Sequence, residues 1–326
     1  MSAAEAQGRA AGRRPLVVWL LRIAVSATML GLIFHFVPFA EVWAEARQFS
    51  PMLWLAALGL FIAGHAAAAA KWRILIGGDI SWRQAFRAHL AGLAANLALP
   101  GVAGGDVVRA GLVLGQVRDK GRLAMGSVAD RLLDTLGLLV IALAGATIAW
   151  GGVGGHATEL RWLLAGSLLL VAAGFAAAPA IDRSLAARQD PGKAGRILQR
   201  LASASADLAR SPLHLLLCLA ISMAVQCLFV GINIAFAEAA HVEAPASAWF
   251  FAWSTAKIIA IAPISLGGLG VREASMAGLL RPFGAEPGQV IAIGLIWQSV
   301  LYASGGIGFL VQMRWPSRNA LVVEKS

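Results

Sequence analysis

Of the 326 residues, 59% are hydrophobic and only 13% are charged, roughly half the charged share of a soluble domain. Too few polar side chains are present to wet the surface of a globule this long, so a water-soluble enzyme or binding domain is excluded and lipid is the expected solvent. The net charge is +10, but the bases lie between apolar runs rather than on an aromatic-interleaved face. This argues against nucleic acid as a partner and for a positive-inside membrane topology.

The first apolar run, 16–36, follows Arg13 and Arg14. It exceeds the ~7–15 residues of a signal-peptide core and is long enough to span a bilayer, so it is read as a transmembrane helix. Five further runs are long enough to cross: 52–70, 123–150, 162–180, 213–237 and 289–313. Two other apolar stretches are interrupted. The stretch 86–114 is broken by Pro100, Gly101, Gly104 and Gly105, and 249–280 by Pro263, Gly267, Gly268 and Gly270. Cys218 and Cys227 share one run at ~13 Å along a helix, too far for a disulfide.

Loop charge sets the expected orientation. Bases precede the first run and dominate the loops after the second (Lys71, Arg73, Arg83, Arg87) and fourth (Arg183, Arg188, Lys193, Arg196, Arg200, Arg210). The loops after the first, third and fifth runs are acidic or poor in bases. Both termini are therefore expected in the cytoplasm. The stretch 86–114 is basic on both flanks, so it should enter and leave from the cytoplasmic side as a re-entrant hairpin. Parity makes 249–280 enter from the opposite face. Irregular backbone at membrane depth survives only where protein or a watery cavity shields it, so two such breaks point to a site.

The two breaks repeat one spacing. Pro100, Gly104, Gly105 and Arg109 recur as Pro263, Gly267, Gly268 and Arg272, 163 residues later. The same offset carries the second run onto the fifth and the third onto the sixth. The first maps onto the fourth only if the basic loop after the fourth is an insertion. The expected architecture is a single all-α polytopic membrane domain over 1–326, with six transmembrane helices and two re-entrant helical hairpins. Its inverted-repeat halves cover about 1–150 and 151–326, with tails 1–14 and 317–326 in the cytoplasm. Inverted repeats with matched Gly/Pro-broken segments mark transporter sites.

Ionisable residues at membrane depth are costly and usually face a cavity or a partner. Asp106 and Arg109 flank the return of the first hairpin, Arg272 and Glu273 that of the second, and Lys257 lies in the descending arm of the second. Asp130, Arg131 and Asp134 open the third run; the bland reading is an ion pair at the interface with Arg131 snorkelling. For Arg109 and Arg272 the bland reading is pairing with Asp106 and Glu273. The functional one is a headgroup site built from freed backbone N–H groups, a helix N-terminus and bidentate guanidinium donors. Asn96 either caps backbone or touches a headgroup. His65, His89, Gln226 and Asn233 are read as satisfied interhelical hydrogen bonds. Trp43, Trp54, Trp72, Trp82, Trp150, Trp162, Trp249 and Trp315 lie near run ends, as an aromatic belt does.

No phosphate-binding loop, zinc-helix motif, cysteine cluster or nucleophile elbow occurs, so neither a catalytic centre, a cofactor nor a metal is expected. At three places the sequence resembles the lysylphosphatidylglycerol synthase transmembrane region, or flippase-like, family. These are N-L-A-L-P-G-V-A-G-G-D-V-V-R at 96–109, D-R-L-L-D at 130–134 and P-I-S-L-G-G-L-G-V-R-E at 263–273. Members that carry a synthase domain move lysyl-phosphatidylglycerol from the inner to the outer leaflet. Other members resemble proteins tied to hopanoid lipids or are fused to glycosyltransferases. The resemblance implies translocation of a lipid with an anionic or zwitterionic headgroup in a bacterial inner membrane. The alternatives are a membrane-embedded enzyme or assembly subunit on a lipid-linked or hopanoid precursor, and an ion or solute transporter. Membrane lipids are the expected partners; a homo-oligomer or a biosynthetic partner stays open.

Overall fold

A computed structural model describes residues 49–98, 103–151, 156–186, 210–261 and 268–314, with scattered positions at 31–47 and 195–207. Nine α-helices and one 3-10 turn, Arg281–Phe283, make up the described residues, with no strand among them. The helices are α1 Pro51–Leu75, α2 Trp82–Ala98, α3 Ala103–Val113, α4 Lys120–Ala149, α5 His156–Ala186, α6 Pro212–Ala239, α7 Ala246–Ile259, α8 Val271–Leu280 and α9 Pro287–Arg314. Most of the expected run 16–36 and the hairpin breaks Pro100, Gly101, Pro263 and Gly267 lie outside the described residues.

Local chemistry sets the helix starts. Ser50 accepts a hydrogen bond from the Met52 amide ahead of Pro51, and Asp119 accepts from the Gly121 and Arg122 amides. Both satisfy orphan N–H groups, and Pro51 fits the first turn. At α8 the N-cap is Gly270 at φ +83°, and Glu273 reaches back to its N–H at 2.7 Å. A side chain at 270 would strain that left-handed backbone.

Helices α1, α4, α6 and α9 are each long and apolar enough to cross a membrane. Their outward faces carry Met52, Leu55, Leu60, Leu213, Leu216, Phe309 and Leu310, all largely exposed. So many exposed large apolar side chains are untenable in water and normal in lipid. The interrupted stretches are the shorter pairs α2–α3 and α7–α8, each folded on itself.

The two most extensive helix interfaces are α7 on α4 and α2 on α9. Each has a glycine at its closest point. A Cβ on Gly145 of α4 would sit 2.6 Å from the Phe251 amide nitrogen of α7, and one on Gly308 of α9 would overlap the Leu90 carbonyl of α2. Small residues at such points let membrane helices touch backbone to backbone. Between them lies an aromatic core in which Trp253 meets Trp297 edge to face at 4.8 Å, with Phe61 and Phe229 beside them. Trp72 and Trp249 belong to the interior, at 0% and 1% exposure. The expectation that they form an interfacial belt is corrected, because the short helix pairs bury the helix ends on which they sit.

Candidate functional site

Lys71, near the C-terminal end of α1, is 1% exposed. Read from sequence as a loop charge, it is a core residue. Its Nζ lies 2.9 Å from Asp130 Oδ1 and 2.5 Å from Asp134 Oδ1, and it donates to Ser222 Oγ of α6 at 2.8 Å. Asp130 and Asp134 are one turn apart on α4, so one ammonium can hold both. The Ser222 hydroxyl passes the contact on, donating to Asp134 at 2.8 Å.

Asp130 turns its other oxygen to Arg109, whose Nη2 lies 2.9 Å away. Arg109 is 2% exposed, pairs also with Asp106 at 3.2 Å, and stacks over the Trp72 ring at 4.4 Å. Asp106 in turn takes Arg131 in a fork, at 2.6 and 2.5 Å. The result is an alternating row: Arg131, Asp106, Arg109, Asp130, Lys71, Asp134. Three cations match three carboxylates, and the row grades from the 45%-exposed Arg131 side chain inward to Lys71. Arg131 leans to Asp106 and only brushes Asp134, at 4.0 Å. Because α4 begins at Lys120, Asp130 and Asp134 stand ~15 and ~21 Å along a helix ~45 Å long. The row therefore meets α4 about a third to a half of the way along its length.

Two histidines extend the row. Arg109 Nη1 lies 3.1 Å from His89 Nδ1, and His89 Nε2 lies 2.9 Å from His65 Nδ1. A guanidinium only donates, so His89 Nδ1 accepts and its proton is on Nε2, donating to His65. The pair is the interhelical hydrogen bond expected from sequence, with its direction set by Arg109.

On the first hairpin, Asn96 Oδ1 accepts from the Gly105 amide at 2.9 Å. It caps the start of α3, the first of its two expected roles. A Cβ on Gly105 would overlap the Gly92 carbonyl, so that glycine lets α2 and α3 touch. On the second, Arg272 pairs with Glu273 at 2.5 Å and donates to Gln298 of α9 at 2.9 Å, with Trp253 at 5.8 Å. Glu273 is 0% exposed. Gly268, at φ +82°, packs against Ala260, and Gly104 lies in the first turn of α3.

Lys257, in the last turn of α7, donates to Gln226 Oε1 of α6 at 2.8 Å and lies 5.3 Å from the Phe229 ring. Gln226 lies one turn beyond Ser222 on α6, so Lys257 meets the same helix that the row reaches through Ser222. Arg109, Asp106, Asp130 and Arg131 are thus in direct contact, whereas Arg272 and Glu273 form a separate knot. Sequence reasoning missed Lys71, Trp72, Ser222 and Gln298. The signal for Lys71 was charge counting: two acids a turn apart needed a nearer cation than Arg131.

The lysylphosphatidylglycerol synthase TM region family matches residues 19–307. The chain belongs to that family. All three stretches of resemblance lie inside the match: the first two supply the Arg109–Asp130 pair and the third supplies Arg272 and Glu273. No curated protein matches the chain.

Proposed function

We propose that this multi-pass membrane protein moves a lipid with a polar, anionic or zwitterionic headgroup between the leaflets of a bacterial inner membrane. The observation that carries the reading is the row of six paired acidic and basic side chains that runs from the half-exposed Arg131 to the buried Lys71. Charges at depth are costly, so they pair or face a cavity and often mark the path of a polar species. In this reading the headgroup crosses beside the row while its tails stay in lipid. The chain catalyses no covalent step, and both termini are cytoplasmic.

The full architecture belongs to the same proposal: six crossings, with α2–α3 and α7–α8 as re-entrant hairpins from opposite faces. Gly145 and Gly308 are 163 residues apart, the offset of Pro100 and Pro263. Each sits where the last helix of one half touches the first hairpin arm of the other. That reciprocity supports an inverted repeat, the arrangement used for alternating access.

The test is reconstitution of the full chain into liposomes with fluorescent lipids of several headgroups in one leaflet. Movement of at least one headgroup class, lost in Asp130→Asn, is expected. If no class moves, the translocation reading fails; altered lipid chemistry would favour the membrane-embedded enzyme, and ion flux without lipid movement a solute transporter.

A further inference from the structure

Arg109 does more than link the row. Its Nη1 donates to His89 Nδ1 at 3.1 Å, and the 2.9 Å bond from His89 to His65 carries the contact from α2 to α1. A guanidinium has no acceptor, so the sense of both bonds is set. His89 is protonated on Nε2 and donates to His65 Nδ1, which leaves the proton of His65 on Nε2. The two rings form an oriented chain with an acceptor, His89 Nδ1, at one end and an N–H at the other. Arg109 occupies the acceptor. His89 is 8% exposed, whereas His65 is only partly buried. A tie between helices needs one amide; two imidazoles in series, stopped by a guanidinium, are also a proton wire with a plug.

The charged groups that act on the pair are Arg109 of α3, Arg131 of α4, Lys71 of α1 and Lys257 of α7. Asp106, Asp130 and Asp134 are already held by cations of the row. The other helices packed on α1 and α2 are α6 and α9, whose stretches 215–237 and 287–313 carry no acidic, basic or histidine side chain. From α6 the Phe229 ring lies 5.5 Å from that of His65. Among the described residues no carboxylate is left to hold an imidazolium here, so a proton entering the pair is passed on rather than stored.

Resting on the translocation reading, we infer that the His65–His89 pair relays a proton, that Arg109 is its plug, and that lipid movement is coupled to this proton. When the guanidinium is drawn off His89 toward Asp106 and Asp130, His89 Nδ1 takes up a solvent proton. The Nε2 proton of His89 passes to His65 Nδ1, and the Nε2 proton of His65 leaves. Each ring gains one N–H bond and loses one, and a change of tautomer resets the pair. A proton needs no cavity, and two hydrogen bonds complete its path.

The test uses the full chain in liposomes with a pH-sensitive dye inside and an imposed pH difference. The parent, plugged, should admit few protons. Arg109→Met should admit them several-fold faster. Adding His89→Gln to Arg109→Met should abolish that gain, because an amide keeps a tie to His65 but relays no proton. A folded Arg109→Met chain that stays tight, or a leak that survives His89→Gln, overturns the inference. The parent offers a second measurement should Arg109→Met fail to fold. Nitrogen NMR of the histidine-labelled full chain in lipid nanodiscs, assigned with His65→Asn and His89→Gln, should show both rings neutral and protonated on Nε2 at neutral pH. A charged ring or an Nδ1–H tautomer at either position overturns the inference.

The lipid assay separates the two claims. Lipid movement indifferent to the pH difference and to His65→Asn removes the coupling and leaves translocation. A proton path in a chain that moves no lipid removes the translocation reading and leaves the relay.

Discussion

Arg109 and Arg272 occupy the same place in the repeated spacing, yet their surroundings differ. Arg272 is locked in a closed knot: its one carboxylate, Glu273, is fully buried and also caps the amide that starts α8. Arg109 is one link in a row that draws on α1, α3, α4 and α6 and ends at a half-exposed guanidinium. The second hairpin is thus pinned to itself and to α9, while the first is tied to the rest of the bundle through charges that reach the surface. Matching spacing does not give matching backbone either: Gly105 lies inside α3, whereas its counterpart Gly268 takes a left-handed φ in the turn before α8. The row offers alternative partners at each step; the knot offers none.

Substitutions can sharpen or break this contrast. Glu273→Gln should be the most damaging, leaving Arg272 buried without its counter-charge at a cost of about 3–5 kcal/mol. The check is the melting temperature of the purified chain in detergent; a melt like that of the parent would show that the knot is not closed. Lys71→Met should cost about 3 kcal/mol, the low end of the same range, because Asp130 keeps Arg109. It is read in the same melt. Gly145→Ala and Gly308→Ala should each cost about 1–3 kcal/mol through overpacking, and by similar amounts if the halves are equivalent. A cost at one glycine only would break the symmetry. Asp106→Asn, at the wet end of the row, should shift stability by about 0–1 kcal/mol while slowing lipid movement in liposomes. Unchanged movement would confine the working part of the row to its buried links.

The long helices were legible because length and apolarity are what a bilayer selects. The interrupted stretches could be recognised because Pro and clustered Gly together disfavour a continuous helix, although Pro179 and Gly305-Gly306 stay within helices. What could not be read was which way a residue faces. In water, polar and apolar faces separate along a helix and the period shows itself. In α6 the lipid-facing Leu213 and Leu216 look like the core-facing Val225 and Phe229, so sequence offers no stripe to follow. Lys71 was missed for that reason, since a base at the end of an apolar run reads as loop until the helix is seen to continue to Leu75. Trp72 and Trp249 were misread likewise, because a tryptophan at a run end suits an interface as well as a core.

Trp253 and Trp297 hold their indole planes at 80° with ring centres 4.8 Å apart, one on α7 and the other on α9. Two indoles that close, fixed in a chiral setting, couple their transitions and give a signed band pair in near-ultraviolet circular dichroism. The size and sign of that signal depend on the angle between the rings. A displacement of α7 against α9 by a few tenths of a nanometre would alter it without any label. The fold therefore carries its own optical gauge of how α7 sits against α9.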